Sequence, residues 1–109
     1  MESKEEINYQ FIDDTFFEQY LSPFLTYIIF HYFYLTVKIT YEEDIDDRCN
    51  NIIISINNSN IYYSESYQML VSYLKSSFLN EINLVLKGFP VKFLFVCEDE
   101  EKKENKYGE

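Results

Sequence analysis

LTVKITYEEDIDDRCNNIIISINNSNIYY, residues 35–63, sets the strand content of this chain. Over residues 34–41, Leu35, Val37 and Ile39 alternate with Thr36, Lys38 and Thr40. That period of two predicts a half-buried strand. The run Glu42-Glu43-Asp44-Ile45-Asp46-Asp47 is too charged to pair comfortably and predicts a solvated loop over 42–48. Ile52-Ile53-Ile54-Ser55-Ile56 predicts a second strand with apolar residues on both faces. Asn57-Asn58-Ser59-Asn60 predicts a hairpin turn, because Asn tolerates positive φ better than most residues. Ile61-Tyr62-Tyr63 then returns as a third strand, which completes an antiparallel meander.

Helical signals lie on both sides. Thr15 with Glu18 three residues on has the form of a capping box, and Ser22-Pro23 repeats a helix start. A helix is expected over about 15–32, kinked or broken near 22. Its second half, Phe24 to Phe30, is apolar nearly all round, which demands burial on more than one side or a partner chain. Ser64 or Ser66 caps a second helix. Tyr67, Leu70, Val71, Leu74, Phe78, Ile82 and Val85 form its inward stripe, and Lys87-Gly88-Phe89-Pro90 stops it. Residues 91–97 predict a fourth strand, apolar on both faces, placed centrally or at a dimer seam. The expected fold is therefore α+β: a small antiparallel sheet with helices packed on one face, in the order α-β-β-β-α-β. Residues 1–97 form one compact domain, with 1–12 a frayed lead-in or a short helix. Residues 98–109 form a mobile acidic tail.

Composition narrows the function. The chain has 109 residues, 47% of them apolar, with 11 Tyr, 10 Phe and no Trp. The excess of Ile, Asn, Tyr, Phe and Lys matches AT-rich coding, as in many phages, viruses and low-GC bacteria. Acidic residues number 19 against 9 basic, for a formal net charge of -10. They cluster at the start (Glu2, Glu5, Glu6, Asp13, Asp14, Glu18), at 42–47, and at 98–101. Such a surface repels nucleic acid and anionic membrane and attracts basic protein surfaces. Leu21 to Val37 carries no formal charge with His31 neutral, yet falls short of the roughly 20 residues a membrane helix needs and contains Pro23. Cys49 and Cys97 are too few for a disulfide scaffold, and the charged start Met1-Glu2-Ser3-Lys4-Glu5-Glu6 is no secretory signal. Two reduced thiols and a cytoplasmic location are expected, in the host cell if the protein is viral.

No catalytic constellation stands out. Asp44, Asp46 and Asp47 lack the glycine and closing glutamate of a calcium loop. His31 is the sole histidine and reads as a core or boundary residue rather than a metal ligand or a partner to a thiol. Two glycines, Gly88 and Gly108, cannot build a phosphate-binding loop. No cofactor, metal or enzymatic activity is expected. The many tyrosines, among them Tyr9, Tyr20, Tyr27, Tyr32, Tyr34, Tyr41, Tyr62, Tyr63 and Tyr73, read equally well as core filling or as interface anchors.

Residues 35–78 contain a Thr36-Val37-Lys38 strand, an Ile-rich strand ending in Asn57-Asn58, a Ser64-Glu65-Ser66 helix entry and a helix with Val71, Leu74, Lys75 and Phe78. That arrangement resembles the β-β-β-α part of small acidic phage anti-CRISPR proteins, DNA mimics that block a CRISPR effector nuclease. The longer apolar first helix and the strand at 91–97 depart from it. The resemblance implies carboxylates seated in a groove made for phosphates. The partner-binding residues would be Glu42, Glu43, Asp44, Asp46, Asp47 and Glu65. The expected function is an acidic inhibitor that blocks the basic surface of a nucleic-acid-handling protein, either a CRISPR effector or a toxin nuclease. The alternative is a viral or phage structural or assembly protein acting as a homodimeric interaction module.

Overall fold

Asp13 opens the first helix. Its carboxylate accepts hydrogen bonds from the Thr15 and Phe16 amides, two of the donors that a helix start leaves without partners. In the computed structural model, which describes residues 10–98, this helix (α1) continues unbroken over 14–33. It comprises α-helical Asp14–Phe16, a π-helical turn Phe17–Leu21 and α-helical Ser22–Phe33. The cap is Asp13 rather than Thr15. Pro23 does not break the helix, because it falls in the first turn after the π segment, where Ser22 N–H already bonds Phe17 O.

The π turn has a packing reason. Phe17, Leu21, Leu25 and Ile29 are all buried. In a pure α-helix each four-residue step rotates about 40° away from the core. A turn closed by an i→i+5 bond takes up an extra residue and keeps the series aligned. The second long helix repeats the device. Leu70, Leu74, Phe78 and Ile82 are buried, with a π turn at Leu74–Phe78. The sequence-predicted stripe holds there except at Val85, which is exposed.

Strand β1 (Lys38–Asp44) pairs antiparallel with β2 (Cys49–Ile56), with Lys38 opposite Ser55 and Asp44 opposite Cys49. Glu42, Glu43 and Asp44 thus belong to a strand and not to a loop. They are tolerated because β1 is an edge strand and faces Asn51, Asn50 and Cys49, with no like charge opposite. The turn itself is residues 45–48, and it ends with Arg48 in the left-handed region (φ 56°).

The predicted third strand does not form. Asn58 uses its side chain to accept from the Asn60 and Ile61 amides and so caps a single helical turn, α2 (Ser59–Tyr62). The same turn chemistry that suggested a hairpin starts a helix instead. Ser64 then caps α3, which spans 65–85 as Glu65–Tyr73, the π turn Leu74–Phe78 and Leu79–Val85. Gly88 turns the chain with φ 86°. Strand β3 (Val91–Cys97) pairs parallel with β2.

The class is α+β. The sheet is mixed, with order β1-β2-β3, so β2 is central and β3 lies at an edge. The expected antiparallel four-strand order is corrected to three strands, because residues 57–90 form a helical crossover, the connection a parallel pair requires. Registry places Ile39, Tyr41, Asn50, Ile52, Ile54, Ile56, Val91, Phe93 and Phe95 on one face. Both long helices pack there: Phe17 against Tyr41 in α1, and Phe78 against Phe93 and Tyr67 against Phe95 in α3. The other face carries Thr40, Cys49, Asn51, Ile53, Ser55, Leu94 and Val96. Among the described residues no helix is long and apolar enough to cross a membrane. The expected lead-in at 1–12 lies mostly, and the tail at 98–109 almost wholly, outside the described residues.

Candidate functional site

Asn50 is a fully buried polar residue on the core face of the central strand. Such a group is costly unless every donor and acceptor is used. Here they are used. Oδ1 accepts from the Ile12 amide at 2.7 Å and from the Tyr41 hydroxyl at 2.7 Å. Nδ2 donates to the Gln10 and Pro90 carbonyls, each at 2.9 Å. One side chain therefore ties the segment entering α1 to β1 and to the entry of β3.

This tether decides where the first acidic run goes. Asp14 and Glu18 fall on the flank of α1 that faces β1, where they line a groove of about 450 Å³ with Thr40 and Tyr41. The Tyr41 phenol is pushed up to about 12, first by burial and then by the carboxylates of Glu43 and Asp14. Acids 29 positions apart in the chain thus act on one hydroxyl.

The hairpin end supplies the second run. Asp44 accepts from the Asp47 amide at 3.0 Å and from Asn51 Nδ2 at 3.3 Å. The Asp47 amide, assisted by the Asn51 amide and the Lys92 ammonium, holds the Asp44 carboxyl below its usual range. Lys92 Nζ sits 3.2 Å from Asp47 Oδ2, and that hydrogen bond raises the Lys92 ammonium above its ordinary value. Asp44 and Asp47 therefore shape the turn, while Glu42, Glu43 and Asp46 are exposed.

Five of the six sequence-predicted partner residues, Glu42, Glu43, Asp44, Asp46 and Asp47, gather at this end. Glu65 does not join them. It starts α3 beyond the far end of β2, a strand of eight residues, which at ~3.3 Å each is roughly 25 Å away. Asp14 and Glu18 lie beside β1 instead, with Asp14 and Glu43 both acting on the Tyr41 hydroxyl. Their acidity was evident in the sequence, but their place beside β1 depends on Asn50, which carries no local signal for that role.

The groups considered for catalysis lie apart. Cys49 starts β2 on the face away from the helices, where its thiol bonds Asn51 Oδ1 at 3.4 Å and is pushed up by burial. Cys97 ends β3 on the helix face; both thiols are free. His31 is neither core nor boundary. It is exposed on α1, with the Tyr27 ring centroid 4.1 Å away. Among the described residues no three His, Cys, Asp or Glu side chains gather as ligands for an ion. No protein family, no curated protein and no solved structure matches this chain.

Proposed function

We propose that this protein is an acidic inhibitor, a binding protein rather than an enzyme, acting in the cytoplasm on the basic surface of a nucleic-acid-handling protein. The observation that carries the reading is the approach of Asp14 and Glu18 on α1 to β1, where Asp14 and Glu43 both act on the Tyr41 hydroxyl, in a strand and turn that also carry the exposed Glu42 and Asp46. Carboxylates gathered in this way focus a negative field, which speeds encounter with a cationic groove and competes with the phosphates that the groove normally holds. The partner class is a CRISPR effector or a toxin nuclease, in line with the resemblance of residues 35–78 to anti-CRISPR DNA mimics.

The test is capture by the immobilised full chain from a host lysate, washed at low and then high salt and challenged with duplex DNA. The expected partner handles nucleic acid, leaves in high salt and is displaced by DNA. A variant with Asp14→Asn, Glu18→Gln, Glu42→Gln and Glu43→Gln loses it. If the variant captures the same proteins as the wild type, or if capture ignores salt, the reading is overturned.

A further inference from the structure

The flank of α1 opposite the acids is aromatic. Phe16, Tyr20, Phe24 and Tyr27 recur there at four- and three-residue spacing, each between 37% and 63% exposed. With α3 they wall a crease between the two helices. One half, about 460 Å³, is closed by Phe78, Ile82 and Val85, and the other, about 470 Å³, by Tyr32 and Tyr73. Phe24 lines both halves. Among the described residues, Glu81 is the sole charged one lining either half.

We infer that this crease is a homodimer interface, covered by a second copy of the chain. Three arguments favour that occupant. The first is area. An aromatic side chain offers about 150–250 Å², so the exposed fractions of Phe16, Tyr20, Phe24, Tyr27, Tyr32 and Val85 leave roughly 700 Å² open. A stable interface takes about 800 Å² from each partner. The second is shape. The same residues form both the ridge and the groove wall, so a two-fold rotation passing near Phe24 seats the ridge of each copy in the groove of the other, as an isologous contact requires. The third is charge. Asp14 and Glu18 point to the opposite flank, which keeps these two carboxylates of α1 away from the seam. The apolar wrap of residues 24–30 then has an explanation: Leu25, Ile28 and Ile29 are buried within the protomer, and the outer side is buried between protomers.

This interface is independent of the inhibitor reading and differs from it in its response to salt. Two chains of like charge repel, so raising salt strengthens the dimer, whereas it weakens capture of a basic partner. Sedimentation of the full chain from micromolar to several hundred micromolar should move from 13.2 kDa to twice that mass, at lower concentration in high salt. Tyr20→Lys and Tyr27→Lys, made separately at exposed positions and checked for folding by circular dichroism, should each raise the dimer dissociation constant roughly tenfold or more. A wild type that stays monomeric throughout overturns the inference, including the case where a different protein or an apolar helix occupies the crease. A dimer that survives both folded substitutions unchanged overturns it as well.

Discussion

The two flanks of α1 receive the same backbone and do opposite things. On the β1 side, Asp14, Glu18 and Ser22 meet a hairpin rich in carboxylates. On the other side, four rings stand over a crease against α3. Between them runs the buried series Phe17, Leu21, Leu25 and Ile29. The acidic flank has long reach and little adhesion: charges in water attract over about a Debye length and add little energy to a contact. The aromatic flank has no reach but much area. A single helix can thus serve encounter on one side and cohesion on the other, provided its buried stripe stays straight, which is the role of the π turn at Phe17–Leu21.

The contrast breaks most completely at Asn50. Asn50→Ala leaves the Ile12 amide, the Tyr41 hydroxyl and the Gln10 carbonyl without the partners they have now, while the Pro90 carbonyl keeps the backbone amide of residue 50 at 2.7 Å. Each buried group so orphaned costs roughly 1–3 kcal/mol, partly relieved by water at the open rim. The expected loss is about 3–5 kcal/mol in denaturant unfolding. Hydrogen exchange at the Ile12 amide should rise more than exchange within α3. Tyr67 offers the opposite case, since its hydroxyl is buried with no hydrogen-bond partner among the described residues. Tyr67→Phe removes an unsatisfied group and should leave stability unchanged or raise it by about 1 kcal/mol. A loss of similar size to that of Asn50→Ala would mean that the hydroxyl has a partner in solution.

Burial of Tyr41, and after it the carboxylates beside it, should also register in alkaline solution. Tyr41 titrates near 10 in the unfolded chain and near 12 when folded. The unfolded state gives up that proton first, so the Tyr41 contribution is whole below pH 10 and declines as pH rises from 10 through 12. Melting temperature should fall over that window, and less steeply in Tyr41→Phe. A slope unchanged by that substitution would mean that the fold does not raise the Tyr41 phenol.

What was legible in the sequence follows the range of the physics. The helix stripe over 67–82, the Ser64 cap, the Gly88 stop and the strand at 91–97 are local patterns, and each is present in the structure. The failures occurred where a local signal has two outcomes or where a distant partner decides. Asn58 can begin a turn or cap a helix, and its bonds to the next amides made it a cap. Glu42 to Asp44 look unfit for a strand until β2 presents Asn50 and Asn51 opposite. The antiparallel reading failed because β3 joins β2 only after a long helical crossover. The acidic cluster was half legible: its composition was plain, but the approach of Asp14 and Glu18 to β1 is written in one buried amide 38 positions from Ile12.

The smallest effect comes from the end of α1, and it separates helix stability from the two flanks. Tyr34 is 84% exposed and left-handed at φ 58°, where it closes the helix with its amide on Ile29 O and Phe30 O. A Cβ in that conformation costs roughly 1 kcal/mol, which glycine avoids at the price of a more flexible unfolded chain. The balance predicts that Tyr34→Gly raises unfolding stability by about 0.5 kcal/mol, readable as a small increase in melting temperature. Tyr34 lines neither the acidic groove nor the aromatic crease, so partner capture and dimer dissociation should stay as in the wild type. A change in either would mean that α1 transmits the state of its C-terminal cap to its flanks, and the two surfaces could then no longer be treated as separable features of one straight helix.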